Sequence, residues 1–261
     1  MTIELTPFFL GFLTIVVLAA GVVNGLSGFG FAAVGTMALA SVLDPATAVV
    51  LMIIPILAAN LTLVNELSQN QLTRCGRRFA PLIVACILGT IVGMAVLDRL
   101  PEAPLRVGLG VVTLGFVVSR QQAIALPSVP FGSDPEGRER PVVMIAVGSV
   151  SGLLFGATNV GVQLVAYLRS LNLSHGLFVG VVAMVFVGIN SIRVGAAGVF
   201  GLYPTLAVFG LSVAGAVPAV GGVALGSRLR QRLSETVRRR LVLGLLSLIG
   251  IRLIFGGLGI A

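Results

Sequence analysis

The sequence predicts an all-α polytopic membrane protein made of two inverted repeats, with broken or re-entrant glycine-rich helices meeting near the midplane. Three observations carry this. Hydrophobic residues make up 57% of the 261 positions against 10% charged, with a mean hydropathy of +1.09; a soluble globule needs roughly twice that charged fraction. Most of the apolar blocks are about the 20 residues that a helix needs to cross hydrocarbon, and their turn spacing and poor alternation do not suit a barrel. A glycine-rich, weakly polar break also occurs twice, at 21–35 (GVVNGLSGFGFAAVG) and at 148–161 (GSVSGLLFGATNVG).

Residues 1–6 carry Glu4 and no base before the apolar run that begins at Pro7, so no cleavable signal is expected and the first segment is expected to stay. Apolar runs and breakers then mark the segments Pro7 to Gly25, Gly28 to Leu43, Pro45 to Val64, Phe79 to Leu97, Pro104 to Ser119, Val142 to Phe155, Asn159 to Leu168, Ser174 to Phe200, Pro204 to Leu225 and Val237 to Leu258. The second, sixth and seventh are too short to cross comfortably. They read as half-helices or arms of re-entrant hairpins, tolerated at depth where protein or a wet cavity satisfies the bared backbone. Pro55 and Pro218 fall within spans, where each kinks its helix or is simply tolerated.

The two halves align segment by segment. Asp44 opens the third segment as Ser174 opens the eighth, both good N-caps, and Asn60 and Asn190 follow at equal distances from them. The reading is an N-terminal repeat over 1–120, a linker over 121–140 rich in Pro, Gly and charge, and a C-terminal repeat over 141–261. An odd number of segments per repeat inverts the second copy. With the N-terminus outside, Arg74, Arg77, Arg78, Arg120, Arg138, Arg140, Arg169 and the cluster from Arg228 to Arg240 fall on the cytoplasmic side, leaving Arg99 and Arg106 outside. All 17 basic residues are Arg, confined mostly to short loops, so the net charge of +8 reads as a topology signal and not as a nucleic-acid footprint. Re-entrant hairpins and full crossings have the same parity and are equally allowed.

The candidate chemistry lies at the breaks. The first N–H groups of a helix are free there and its dipole is positive, so a small anion can bind without a buried full charge. The candidates are Asn24, Gly25, Ser27, Gly28 and Gly30 in the first half, and Ser151, Gly152, Thr158, Asn159, Gly161 and Gln163 in the second. Small residues also serve close helix packing. Asn60 and Asn190 are mid-helix amides that either face a substrate or glue helices together. Arg193, one turn beyond Asn190, either faces a cavity or snorkels to the outer interface. Arg252, with few apolar residues after it, is expected to snorkel. The Arg228 to Arg240 cluster reads as a topology determinant, with anionic lipid or substrate attraction as the alternative.

Both breaks, NGLSGFGFAAVG and SGLLFGATNVG, are followed by a helix that ends in a polar residue, and in this the chain resembles the sulfite exporter TauE/SafE-like family of membrane transporters, of the 4-toluene sulfonate uptake permease type. The resemblance covers nearly the whole chain. It departs at the run Gly28, Phe29, Gly30, Phe31, Ala32, Ala33, where the family extends its glycine cluster, and from Thr36 to Ser41, where the family commonly has a proline. It implies a bacterial inner-membrane carrier for sulfite, sulfonates or related small organic anions.

Secondary transport by alternating access is therefore the leading expectation. No Walker motif is present, and no metal-ligand or cofactor pattern stands out; Cys75 and Cys86 are expected as free thiols. Partners are the small anion, the bilayer and H+ or Na+ as a coupling ion, with a homodimer left open. An anion channel and a non-transporting membrane subunit are the alternatives. Gly25 to Gly28 has the GxSG form of an intramembrane serine hydrolase, but the one histidine, His175, stands at the start of a segment, not deep within a helix where a base for Ser27 belongs.

Overall fold

The computed structural model describes residues 6–97, 140–159, 161–171 and 173–259, with scattered residues between 101 and 118. The described residues are helical and connected by short turns, and six of the helical stretches are long and apolar enough to cross a membrane. Of the expected linker only Arg140 is described, and most of the fifth segment lies outside the described residues.

Helix α1 (Pro7–Ser27) starts on Thr6, whose hydroxyl accepts from Phe9 N, with Pro7 at the first position where its missing N–H costs nothing. It ends at Gly28, which adopts a left-handed conformation at φ 79. The short α2 (Phe31–Ala40) follows, then α3 (Pro45–Leu51) and α4 (Ile53–Val64), which together form one span. Asp44 caps α3 by accepting from both the amide and the hydroxyl of Thr47 at 2.9 and 3.0 Å. The break at Met52 lies where the Pro55 ring meets the carbonyl of Leu51, its i−4 neighbour. Pro218 does the same to Ala214, dividing the ninth segment into α10 (Leu206–Ala214) and α11 (Ala216–Arg230). The two kinks meet: a Cβ on Gly215 would sit 2.9 Å from Pro55 Cγ.

The remaining elements are α5 (Gln69–Arg78), α6 (Ala80–Leu97), α7 (Pro141–Thr158), α8 (Val162–Ser170), α9 (His175–Val199) and α12 (Glu235–Gly257). Three expectations change. The sixth segment is not short, since α7 runs 18 residues to Thr158 and is apolar enough to span. A polar helix, α5, lies where a loop was expected and carries Cys75, which is buried in it. Ser174 stands at the N-cap of α9 but makes no side-chain cap bond.

The core is a reciprocal pair of crossings. Helix α1 runs parallel to α11, with Leu18 against Gly222 and Val22 against Gly226; α6 runs parallel to α7, with Leu82, Cys86 and Thr90 against Gly148, Gly152 and Gly156. Helix α1 of the first half thus presses on α11 of the second, and α7 of the second half presses on α6 of the first. Glycine makes both possible: a Cβ at Gly25 would lie 2.3 Å from Val223 O, and one at Gly156 would lie 2.3 Å from Thr90 O. Small residues let backbones approach this closely, which is how membrane helices gain dispersion contact in a solvent as apolar as themselves.

One end of the bundle collects the arginines. Glu66, after α4, pairs with Arg230 at the end of α11 at 2.5 Å; Leu67 packs on Gly180 near the start of α9; Arg169, ending α8, lies 5.6 Å over the Phe178 ring. Arg74, Arg77 and Arg78 on α5 and Arg228 beside Arg230 share that end. The Glu66–Arg230 pair is partly exposed, so Glu66→Gln is expected to cost under about 1 kcal/mol. A drop of more than a few degrees in the melting temperature of the purified protein would contradict that.

Candidate functional site

The two breaks are built alike. At one constant offset in the sequence, Gly21, Gly25, Ser27, Gly28 and Gly30 correspond to Gly152, Gly156, Thr158, Asn159 and Gly161. Ser27 Oγ donates to Val23 O at 2.7 Å and Thr158 Oγ1 to Leu154 O at 2.6 Å, each one turn back. Gly28 and Asn159 both cap in the left-handed region, at φ 79 and 60, and return their N–H to Asn24 O and Phe155 O. Asn159 is the single described non-glycine residue with positive φ. Gly30 and Gly161 are the N-caps of α2 and α8, and neither supplies a side-chain cap. The first N–H groups of both short helices are therefore left without the partner that a Ser or Asp would provide.

Both uncapped ends face one small cavity of about 30 Å³, room for a water or two. Asn24, Gly30, Asn60 and Gly161 line it, together with Phe31, Ala32 and Ala33 from the first turn of α2 and the aromatic rings of Phe29, Phe155 and Phe186. Asn24 is 2% exposed and its Nδ2 has no hydrogen-bond partner. Asn60 and Asn190 make the same bond in their matched helices, Nδ2 to the carbonyl one turn back (Ile56 O and Phe186 O), both at 2.8 Å. What this arrangement offers a solute is donors: a buried amide N–H₂ and two positive helix ends, set among apolar side chains.

A family model described as sulfite exporter TauE/SafE matches residues 13–253. The chain belongs to the sulfite exporter TauE/SafE family. No curated protein and no solved structure matches it. With six apolar helices of spanning length among the described residues, this TauE/SafE chain is a multi-pass membrane protein, and its family is one of membrane transporters of sulfite-like sulfur anions.

The other sequence candidates of the TauE/SafE chain lie around the cavity in distinct places. Gly25 and Gly152 sit in the helix crossings, against Val223 and Cys86. Ser27 donates within the break itself, to Val23 O and to Phe29 O at 2.6 Å. Gly28 faces Val179, and Ser151 is buried with its hydroxyl unpartnered. Asn159, wholly buried, reaches across to the other half: its Nδ2 donates to Thr36 Oγ1 on α2 and to Val49 O on α3, both at 2.9 Å. Gln163 lies in the first turn of α8 with a buried, unpartnered Oε1.

Arg193 does not snorkel. It is 0% exposed, points inward, donates to Asn190 Oδ1 at 3.2 Å and to Gly156 O at 3.5 Å, and stacks 4.9 Å over the Phe155 ring. Phe155 in turn lies 5.0 Å from Phe186. The guanidinium thus sits one ring behind the cavity wall. Arg252, by contrast, is exposed on α12. No sequence signal points to Tyr203, which lies near Arg193, or to Ser212, which lies beside Tyr203. Burial pushes the Tyr203 phenol up while the Ser212 hydroxyl and the Arg193 charge pull it down; the net rise keeps it a neutral O–H donor at physiological pH. Neither residue carries a spacing signal, because Tyr203 meets Arg193, and Ser212 meets Tyr203, only through the fold.

Proposed function

We propose that this chain is a secondary transporter that carries small sulfur-containing or organic anions, sulfite and sulfonates among them, by alternating access. The observation that carries the reading is the convergence of two uncapped helix N-termini and the unpartnered Asn24 Nδ2 on one cavity. Each terminus is worth roughly half a positive charge. Two of them offset a singly charged anion without burying a cation against it, and the apolar rings around it lower the local dielectric and strengthen both interactions. A divalent cation is repelled by such a set of donors, and a neutral sugar, which can accept their hydrogen bonds, brings no charge to set against the positive helix ends.

Repeats over 1–120 and 141–261, joined by a cytoplasmic linker, form an inverted pair in this reading. The reciprocal crossings of α1 with α11 and α6 with α7 support it, because a residue pair matched by its exchanged counterpart is the mark of a two-fold axis. The N-terminus is outside, which puts the arginine-bearing end of the bundle in the cytoplasm. Rocking of one repeat on the other then opens the cavity to each side in turn. Among the described residues no Asp or Glu is buried. The coupling proton, where there is one, is therefore best carried by the anion itself, since sulfite titrates near neutrality; Na+ remains the other coupling ion to assay.

Counterflow in proteoliposomes tests this. Vesicles loaded with unlabelled sulfite should accumulate labelled sulfite from outside, saturably, with sulfonates, thiosulfate, sulfate and small carboxylates ranked as competitors. Asn24→Ala removes a hydrogen bond to a charged ligand and is expected to raise the half-saturation concentration roughly tenfold or more. Flux that is linear in concentration would favour a channel. Absence of exchange with every anion, in folded protein, would overturn the carrier reading.

A further inference from the structure

We propose that a second anion position lies behind the cavity, bounded by Arg193, Tyr203 and Ser212 and separated from the cavity by the Phe155 and Phe186 rings, and that it takes a small, singly charged anion. The inference rests on the carrier function proposed above and adds a stage to it.

The starting point is an uncompensated charge. Arg193 is wholly buried, and the oxygens that its NH1 and NH2 meet, Asn190 Oδ1 and Gly156 O, are neutral; its Nε has no partner. Among the described residues no carboxylate pairs with it, and its guanidinium lies over the π face of Phe155. A guanidinium removed from water without a counter-charge is costly, and protein folds keep one where an anion can arrive to balance it.

The surroundings are built for such an arrival. Tyr203 interacts with both Ser212 and Arg193. The Tyr203 hydroxyl meets the Ser212 hydroxyl too loosely to make a full hydrogen bond, so both, with Arg193 Nε, stay buried without a partner of good geometry. Three orphan groups that can donate, around one positive charge, specify a ligand that accepts hydrogen bonds and carries one negative charge. A monoprotonated oxyanion such as bisulfite, or a halide, fits; a dianion would be left with one charge unbalanced.

The route to it is set by the rings. Phe155 covers the guanidinium at 4.9 Å, and both Phe155 and Phe186 line the cavity. An anion leaving the helix N-termini for Arg193 displaces Phe155 and exchanges a cation–π contact for a full ion pair. Because Tyr203 follows α9 and Ser212 lies on α10, at the end of the bundle opposite the Glu66–Arg230 pair, the second position lies on the side of the cavity away from the arginine-rich end.

Melting of the purified full-length protein, titrated with sodium sulfite against sodium gluconate, tests this. Wild type should be stabilised saturably by sulfite. Arg193→Met should lose most of that response, and Tyr203→Phe and Ser212→Ala should each raise the half-saturating sulfite concentration about tenfold while leaving the gluconate baseline in place. Asn24→Ala should keep a response from the second position. If Arg193→Met fails to fold, the two hydroxyl variants decide alone. Unchanged half-saturation in both, or a response abolished by Asn24→Ala, would overturn the second position and leave the anion in the cavity only. Vesicle exchange is scored separately. A wild type that exchanges no anion removes the carrier function, whereas the melting response reports on Arg193 either way.

Discussion

Gly226→Leu is expected to abolish the folded protein, while Gly221→Ala on the same helix is expected to be tolerated within about 0.5 kcal/mol. The two glycines differ in what they face. A Cβ at Gly226 would lie 2.2 Å from Val22 O and 3.0 Å from Gly25 Cα, both backbone atoms that cannot rotate aside, whereas one at Gly221 meets nothing within 4 Å. Relief requires α1 and α11 to move apart. Even a methyl group in a packed interface costs about 1–3 kcal/mol, and leucine adds three more carbons to the same gap. The loss spreads along the crossing, because helix association in lipid depends on contact and receives no hydrophobic drive. Gly156→Leu, facing Thr90 O at 2.3 Å, should behave the same way at the other crossing. The check is the monodisperse fraction on size exclusion in detergent, followed by thermal melting. A folded, well-behaved Gly226→Leu protein would mean that this crossing does not hold the bundle closed.

That pair of glycines also explains how far the sequence could be read. Apolar runs located the spans to within a few residues, since a helix in lipid must be apolar along a known length. The kinks follow from Pro55 and Pro218 by the i−4 rule. Helix α5 was missed because it is polar and sits where charge suggests a loop; its signal was the capping box of Ser68 with Gln71, whose two reciprocal bonds are present. Helix α7 was cut short because Gly156 to Gly161 looks like one break, although the backbone stays helical until Asn159 turns left-handed. At the site, Gly25 and Gly30 are alike in sequence. One faces a neighbouring helix and the other a cavity, and a missing side chain does not say what occupies its place. Arg193 posed the same difficulty, since snorkelling and burial are both open to it from position alone. Its inward turn depends on Gly156 O and Phe155 from a helix far away in sequence.

At Asn159 three substitutions are expected to separate backbone from side chain, in the order Gly mildest, then Ala, then Asp. Glycine keeps the left-handed turn at φ 60 without strain but removes the two bonds from Nδ2 to Thr36 Oγ1 and Val49 O. Losing donors to buried acceptors costs about 1–3 kcal/mol. Alanine loses the same bonds and adds about 1–2 kcal/mol for a Cβ in the left-handed region. Aspartate replaces the donor with a second acceptor facing Val49 O, in a site that is 0% exposed, and a buried unpaired carboxylate is worse than either. Thermal melting in detergent reads the order directly; equal effects of Gly and Ala would show that the turn stores no strain. The side chain also ties the break between α7 and α8 to α2 and α3 of the other half, so it fixes how the two uncapped helix ends face each other. Asn159→Gly protein that still folds should therefore bind sulfite more weakly than wild type and exchange it more slowly, because the donors remain but no longer converge. Asn159→Gly protein with wild-type melting and wild-type counterflow would show that the bridge neither stabilises the break nor aligns the site.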